Sequence, residues 1–120
     1  MGRLDERVII VTGGAQGIGR ALAMRFAKEG ARVVIADING PAADKTASEI
    51  GEAGGEALVA VTDVSDEDST NAMVQAAIDR WGRIDGLVNN AAFFQRPQIT
   101  AGPIEHISVE EWDRVMAVNV

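Results

Sequence analysis

The sequence contains no cysteine, no tyrosine and a single histidine. Without cysteine there is no disulfide, no thiol nucleophile and no thiolate metal ligand. One histidine, His106, cannot build a histidine cluster; it reads as a loop residue, and no metal site is expected. The absence of tyrosine removes one of the side chains that can pass a proton to a reacting oxygen. Basic residues are also scarce: 11 Lys and Arg stand against 18 Asp and Glu, a formal charge of −7 and a pI near 4.6. Nucleic acid and anionic membrane both call for clustered Lys and Arg, so neither is an expected partner. No apolar run approaches transmembrane length and no signal-peptide pattern follows Met1, which makes the cytoplasm the expected location.

What is present is ordinary globular material, 47% apolar and 24% charged over 120 residues. That length suits one domain with a modest core. The chain is organised around Val8 to Gly19, V-I-I-V-T-G-G-A-Q-G-I-G. A short apolar run stops at Thr12, glycines follow at Gly13, Gly17 and Gly19, and a helical pattern opens with Ile18, Leu22 and Phe26. Strand, glycine turn, helix is the layout that brings backbone N–H groups and a helix N-terminus up to a phosphate. One glycine permits the sharp turn, one lets the backbone approach a pyrophosphate, and one lets helix and strand pack closely. A tight turn with no ligand uses the same residues.

Short apolar runs then alternate with helical patterns. The expected strands are Arg7 to Thr12, Arg32 to Asp37, Ala57 to Thr62 and Ile84 to Asn89. Between them lie helices from Ile18 to Glu29, from Asn39-Gly40-Pro41 to about Ala53, and from about Asp66 to Trp81. A loop from Asn90 to Ile107 precedes a last helix capped by Ser108, with Glu111 completing a capping box. R-V-V-I-A-D in the second strand is apolar on both faces, as a parallel strand covered by helices should be. The pattern is that of an α/β protein, an open parallel sheet with right-handed crossovers, and a single domain over residues 1–120. The long loop leaves the C-terminal end of a strand, where open α/β sheets bind ligands.

Several polar residues fall where chemistry is possible. Asp37 ends the second strand, 18 residues after Gly19. A carboxylate there can accept hydrogen bonds from both hydroxyls of an adenosine ribose and repels a 2′-phosphate, so it favours NAD over NADP. It could equally initiate the turn at Asn39-Gly40, but its distance from the glycines favours the ribose. Asp63 and Val64 close the third strand at a position suited to adenine, although Asp63 or Ser65 could simply cap the next helix. Asn89-Asn90-Ala91-Ala92 ends the fourth strand, where asparagine amides can tie strand ends together and small residues leave room for a flat ligand. Asn119 lies in an apolar helical pattern with Trp112, Val115, Met116 and Val118, either as a hydrogen-bond hub or as part of a site.

Taken together, Thr12-Gly13-x-x-x-Gly17-x-Gly19, Asp63-Val64, Asn89-Asn90-Ala91 and Val118-Asn119 resemble the short-chain dehydrogenase/reductase family over the whole chain. The resemblance implies a Rossmann-type doubly wound sheet with strand order 3-2-1-4 and a dinucleotide across the strand ends. It implies that Gly13, Gly17, Ile18 and Gly19 line the pyrophosphate and its ribose. Asp37 would hold the adenine ribose, Asp63 and Val64 the adenine, and Asn90 and Ala91 the nicotinamide-side ribose. Gln16 stands where NADP-using relatives often carry Arg or Lys, which agrees with NAD as cofactor.

Two departures accompany the resemblance. Ala92 stands where the family usually has glycine. The chain is also about half the family's length, and the catalytic Ser and the Tyr-x-x-x-Lys pair of the family lie beyond Val120. Of that machinery only the helix asparagine is present, as Asn119. The expectation is therefore the NAD-binding part of an oxidoreductase of alcohols or ketones, incomplete at its C-terminus, or a non-catalytic dinucleotide-binding fragment. Phe93, Phe94, Gln95, Arg96 and Pro97 could form a substrate wall. A bare fourth-strand edge and an uncovered last helix lead to an expected homo-oligomer.

Overall fold

The computed structural model describes residues 2–92 and 102–120. The expected substrate wall, Phe93 to Pro97, lies outside the described residues. The elements run β1 (Val8–Thr12), α1 (Gly17–Lys28), β2 (Arg32–Asp37), α2 (Gly40–Glu52), β3 (Glu56–Val61), α3 (Glu67–Trp81), β4 (Gly86–Val88) and α4 (Val109–Asn119), with a 3-10 turn at Ile104–His106 before α4. The four strands form one parallel sheet in the order β3-β2-β1-β4. This is the α/β, Rossmann-type arrangement expected from the sequence.

Alternation along β1 and β2 builds the two sides of the sheet. Ile9, Val11, Val33 and Ile35 face one way and pack with Ala23 of α1 and Ala43 and Ile50 of α2. Val8, Ile10, Val34 and Ala36 face the other way, against Met73 and Ala77 of α3. The central strands are thus apolar on both faces because both faces are covered. Ile10, Ile35 and Ile50 are fully buried, each side chain stabilising the fold by roughly 1.5–3 kcal/mol. The order explains which helix goes where. The chain steps outward from β1 to β2 to β3, then crosses back to place β4 on the far side of β1. Crossovers of constant hand then send α3 to the face opposite α1 and α2. The reversal occurs between β1 and β4, and the ends of these two strands are where an open sheet leaves a crevice.

β4 is shorter than the expected Ile84 to Asn89, and the hydrogen bonds give the reason. At its start the Asp85 carboxylate accepts from Val8 N–H at 2.9 Å, so a side chain takes the place of a ladder carbonyl. At its end Asn90 N–H turns back to the Val88 carbonyl at 3.1 Å and to Thr12 Oγ1 at 3.0 Å. The helix starts follow local chemistry. Asn39 Oδ1 accepts from Ala42 N–H, Asp66 Oδ1 from Asp68 N–H and Ser108 Oγ from Glu111 N–H, capping α2, α3 and α4. Asp66, rather than Asp63 or Ser65, caps α3. No described helix is long and apolar enough to cross a membrane.

Candidate functional site

The crevice at the C-terminal ends of β1 and β4 is a cleft of about 780 Å³. Gly13, Gln16, Gly17, Ile18, Asp37, Asp63, Val64, Asn90 and Ala91 all line it. Residues separated by as many as 78 positions in sequence are brought there by the strand order. Gly19 does not line the cleft. It stands behind the loop, where a Cβ would collide with the Gly13 carbonyl oxygen and press on Asn90 Nδ2. Its role in the free protein is the close packing of α1 on the loop.

The glycine loop is built for backbone exposure. Gly13 and Gly17 have φ of +65° and +55°, values that cost a side-chain-bearing residue about 1–2 kcal/mol. A Cβ on Gly17 would meet nothing within 4 Å and would project into open cleft space. The helix that follows differs from the others in one respect. Gln16 occupies the N-cap of α1 but makes no side-chain capping bond, whereas the other three helices are side-chain capped. The first-turn amides of α1 therefore open onto the cleft with the positive end of the helix dipole. A pyrophosphate fits this arrangement: donors and dipole are in place, and the position that a side chain would fill is empty.

Polar contacts join the loop to its surroundings. Thr12 Oγ1 donates to the Val88 carbonyl at 3.2 Å and accepts from the N–H groups of Asn90 and Ala91 at 3.0 and 3.1 Å. Asn90 Nδ2 donates to the carbonyls of Thr12 and Gly13 at 3.1 and 3.3 Å. The expected tying of strand ends is thus made by Asn90, with Thr12 as its counterpart, while Asn89 is exposed. Asp37 Oδ1 accepts from Asn39 N–H at 2.9 Å and Oδ2 from Ala15 N–H at 3.1 Å. Asp37 thus initiates the turn and also lines the cleft, and each of its carboxylate oxygens retains a lone pair after these bonds. Asp63 is held below its ordinary pKa of 3.8, first by the Ser65 hydroxyl and then by the Ser65 amide. It stays charged at neutral pH. Among the described lining residues there is no Lys or Arg, so fixed charge in the cleft is negative and falls at the β2 and β3 ends.

On the α4 side Val118 lines the cleft, whereas Asn119 is exposed and is not among the described lining residues. Asn119 is therefore no buried hydrogen-bond hub, although it does engage in an interaction of its own. His106 sits exposed in the 3-10 turn.

The family description "short chain dehydrogenase" matches residues 7–120. The chain belongs to the short-chain dehydrogenase family. It is 49% identical to a sorbitol dehydrogenase from Cereibacter sphaeroides over 118 residues, 98% of this chain and 43% of that protein. Among solved structures, a short-chain dehydrogenase/reductase from Burkholderia phymatum in complex with NAD superposes with a TM-score of 0.90 at 32% identity, covering 100% of this chain and 41% of that one. A metagenomic short-chain oxidoreductase in complex with NADP gives a TM-score of 0.88 at 36% identity, covering 98% of this chain and 51% of that one. The chain thus spans about half the length of the relatives it matches. Structures of the family hold either dinucleotide, so family membership alone does not select between them.

This short-chain dehydrogenase cleft also contains a residue that sequence reasoning passes over, Ile38. Ile18 and Ile38 are both lining residues with more than two thirds of their surface exposed, 74% and 71%. Ile18 is among the residues expected along the pyrophosphate and its ribose, whereas Ile38 belongs to none of the expected motifs. The signal available was an isoleucine beside the strand-end Asp37, where a turn would otherwise be polar. Asn39 was read as a helix start, and it also lines the cleft.

Proposed function

We propose that the cleft binds a nicotinamide adenine dinucleotide, NAD(H) in preference to NADP(H), and that the chain is the dinucleotide-binding part of an oxidoreductase acting on an alcohol or ketone. The observation that supports this most is the uncapped α1 terminus above a loop whose glycine faces the cleft, with the Asp37 carboxylate at its β2 end. The N–H groups around Gly13, Gln16, Gly17 and Ile18 would bind the pyrophosphate, Gly19 allowing them to be held close to β1. Asp37 would accept from the adenine ribose hydroxyls. Asp63 and Val64 would meet the adenine, and Asn90 and Ala91 the second ribose. Two acidic groups and no described cation would make a 2′-phosphate unwelcome, and Gln16 supplies no positive charge to offset them.

When bound, such a dinucleotide supplies the site that takes or gives the hydride. The chain's own residues bind it and orient it. The accompanying proton needs an acid–base group, a step worth about 10²–10⁴-fold. With no tyrosine among the 120 residues, that group lies outside them in any active protein of the family type. Asn119, next to the lining residue Val118, is read as the helix residue on the substrate side. The likeness to a sorbitol dehydrogenase supports an alcohol as substrate class. The lack of tyrosine favours a second reading for a polypeptide of only these residues, a binding module that holds NAD(H) without turning it over.

Intact mass and fluorescence titration with NADH and NADPH test both readings. NADH is expected to saturate and to bind at least about tenfold tighter than NADPH, and Asp37→Asn should narrow that ratio. Equal affinities would remove the assigned preference, and no saturation would remove the cofactor assignment. Turnover by a protein of 12.7 kDa would overturn the binding-only reading.

A further inference from the structure

The middle of the glycine loop is held by a residue outside the cleft. Thr46, on the buried face of α2 and only 1% exposed, donates its hydroxyl to the Ala15 carbonyl at 3.2 Å. The N–H of the same Ala15 donates to Asp37 Oδ2 at 3.1 Å. Ala15 lies between Gly13 and Gly17, both glycines at positive φ. Glycines that let the backbone turn also let it move, and a mobile loop must be ordered when a ligand binds. A valine would fill the volume of Thr46 equally well. The Thr46 hydroxyl donates to the Ala15 carbonyl, which is turned toward α2, rather than to a carbonyl of the preceding turn of its own helix.

We propose that Thr46 and the Asp37 carboxylate are positioning residues for the glycine loop, fixing Ala15 from both sides so that the amides beyond it are already aimed at a phosphate. Asp37 thereby acts at the phosphate end of the cleft as well as at the ribose, and Thr46 acts there without touching ligand. The inference rests on the dinucleotide reading for its effect on affinity. Its effect on loop order stands independently.

The test compares Thr46→Val, which removes the hydroxyl, with Thr46→Ser, which keeps it. The probes are ADP, which carries a diphosphate, and adenosine, which does not. In Thr46→Val, affinity for ADP should fall by about three- to tenfold while that for adenosine changes by less than about twofold, and Thr46→Ser should behave as the parent does. General loosening of the fold would weaken both probes alike, so an unchanged ADP-to-adenosine ratio overturns the proposal, as does a Thr46→Ser variant that matches Thr46→Val. If the parent protein binds neither probe, the dinucleotide reading has failed. Hydrogen exchange of the Ala15, Gln16 and Gly17 amides in the free protein then decides the positioning claim: faster exchange in Thr46→Val alone sustains it, and unchanged exchange overturns it.

Discussion

Gly17 and Gly19 are two residues apart, and each is glycine for a different reason. At Gly17 the backbone has φ of +55° and a Cβ would find open space. Gly17→Ala therefore costs the fold only the backbone penalty, about 1–2 kcal/mol. The added methyl projects into the cleft, so NADH affinity should drop by more than about tenfold, or 1.4 kcal/mol. At Gly19 the added methyl meets the backbone of Gly13 and the amide of Asn90, neither of which can move without breaking the join between β1 and β4. Gly19→Ala should lose about 1–3 kcal/mol of stability through overpacking, and binding with it. Urea unfolding and NADH titration on both variants separate the two. Unimpaired NADH binding by Gly17→Ala would mean that the loop does not face the ligand.

At the scale of elements, one carboxylate reinforces the start of the ladder that holds β4 on β1. Asp85 accepts from Val8 N–H at 2.9 Å and from Arg83 Nε at 2.9 Å. The Arg83 hydrogen bonds, and then the Val8 amide, hold its pKa down from 3.8 to about 2. A folded-state pKa below the unfolded value means that the charged form is preferred in the fold. Its contribution is complete above about pH 4 and is lost as pH falls toward 2. Asp85→Asn should lower the urea midpoint at pH 7 and flatten the fall in stability between pH 4 and 2. A variant whose acid limb parallels the parent's would show that the carboxylate adds nothing to the joining of β1 and β4. The ends of elements are also where sequence reasoning was weakest. R-V-V-I-A-D announces β2 because burial on both faces leaves no polar position. Nothing in Ile84 to Asn89 reveals that Asp85 and Asn90 spend their hydrogen bonds on β1 and so shorten β4. With Asp63, Ser65 and Asp66 within four positions, any could have capped α3. The Ser65 hydroxyl and amide engage Asp63, which leaves Asp66 for the cap.

For the molecule as a whole, the sequence order of the motifs is enough to collect the expected cofactor residues other than Gly19 at one crevice, because parallel β-α units bring every strand's C-terminal end to the same side. The outer surfaces were legible for the same reason: a sheet ordered 3-2-1-4 leaves β3 and β4 at its edges. Leu87 in β4 is 52% exposed and Trp112 in α4 is 53% exposed. No described residue of α4 belongs to either apolar cluster of the sheet, and the molecule measures 53 × 25 × 24 Å. An apolar strand edge with unpaired N–H and C=O groups is a template for another strand, and an exposed apolar helix face adds to the tendency to associate. A polypeptide of these 120 residues should therefore self-associate. In sedimentation velocity its mean mass should exceed 12.7 kDa and rise with concentration up to about 100 µM. Leu87→Lys places a charge on the edge without entering either core and should return the mass toward that of the monomer. Trp112→Glu tests the helix face in the same way. If Leu87→Lys alone restores the monomer, association runs through strand pairing. If Trp112→Glu alone does so, it runs through α4. A parent chain that stays monomeric across the range would show that neither surface is sticky enough to matter.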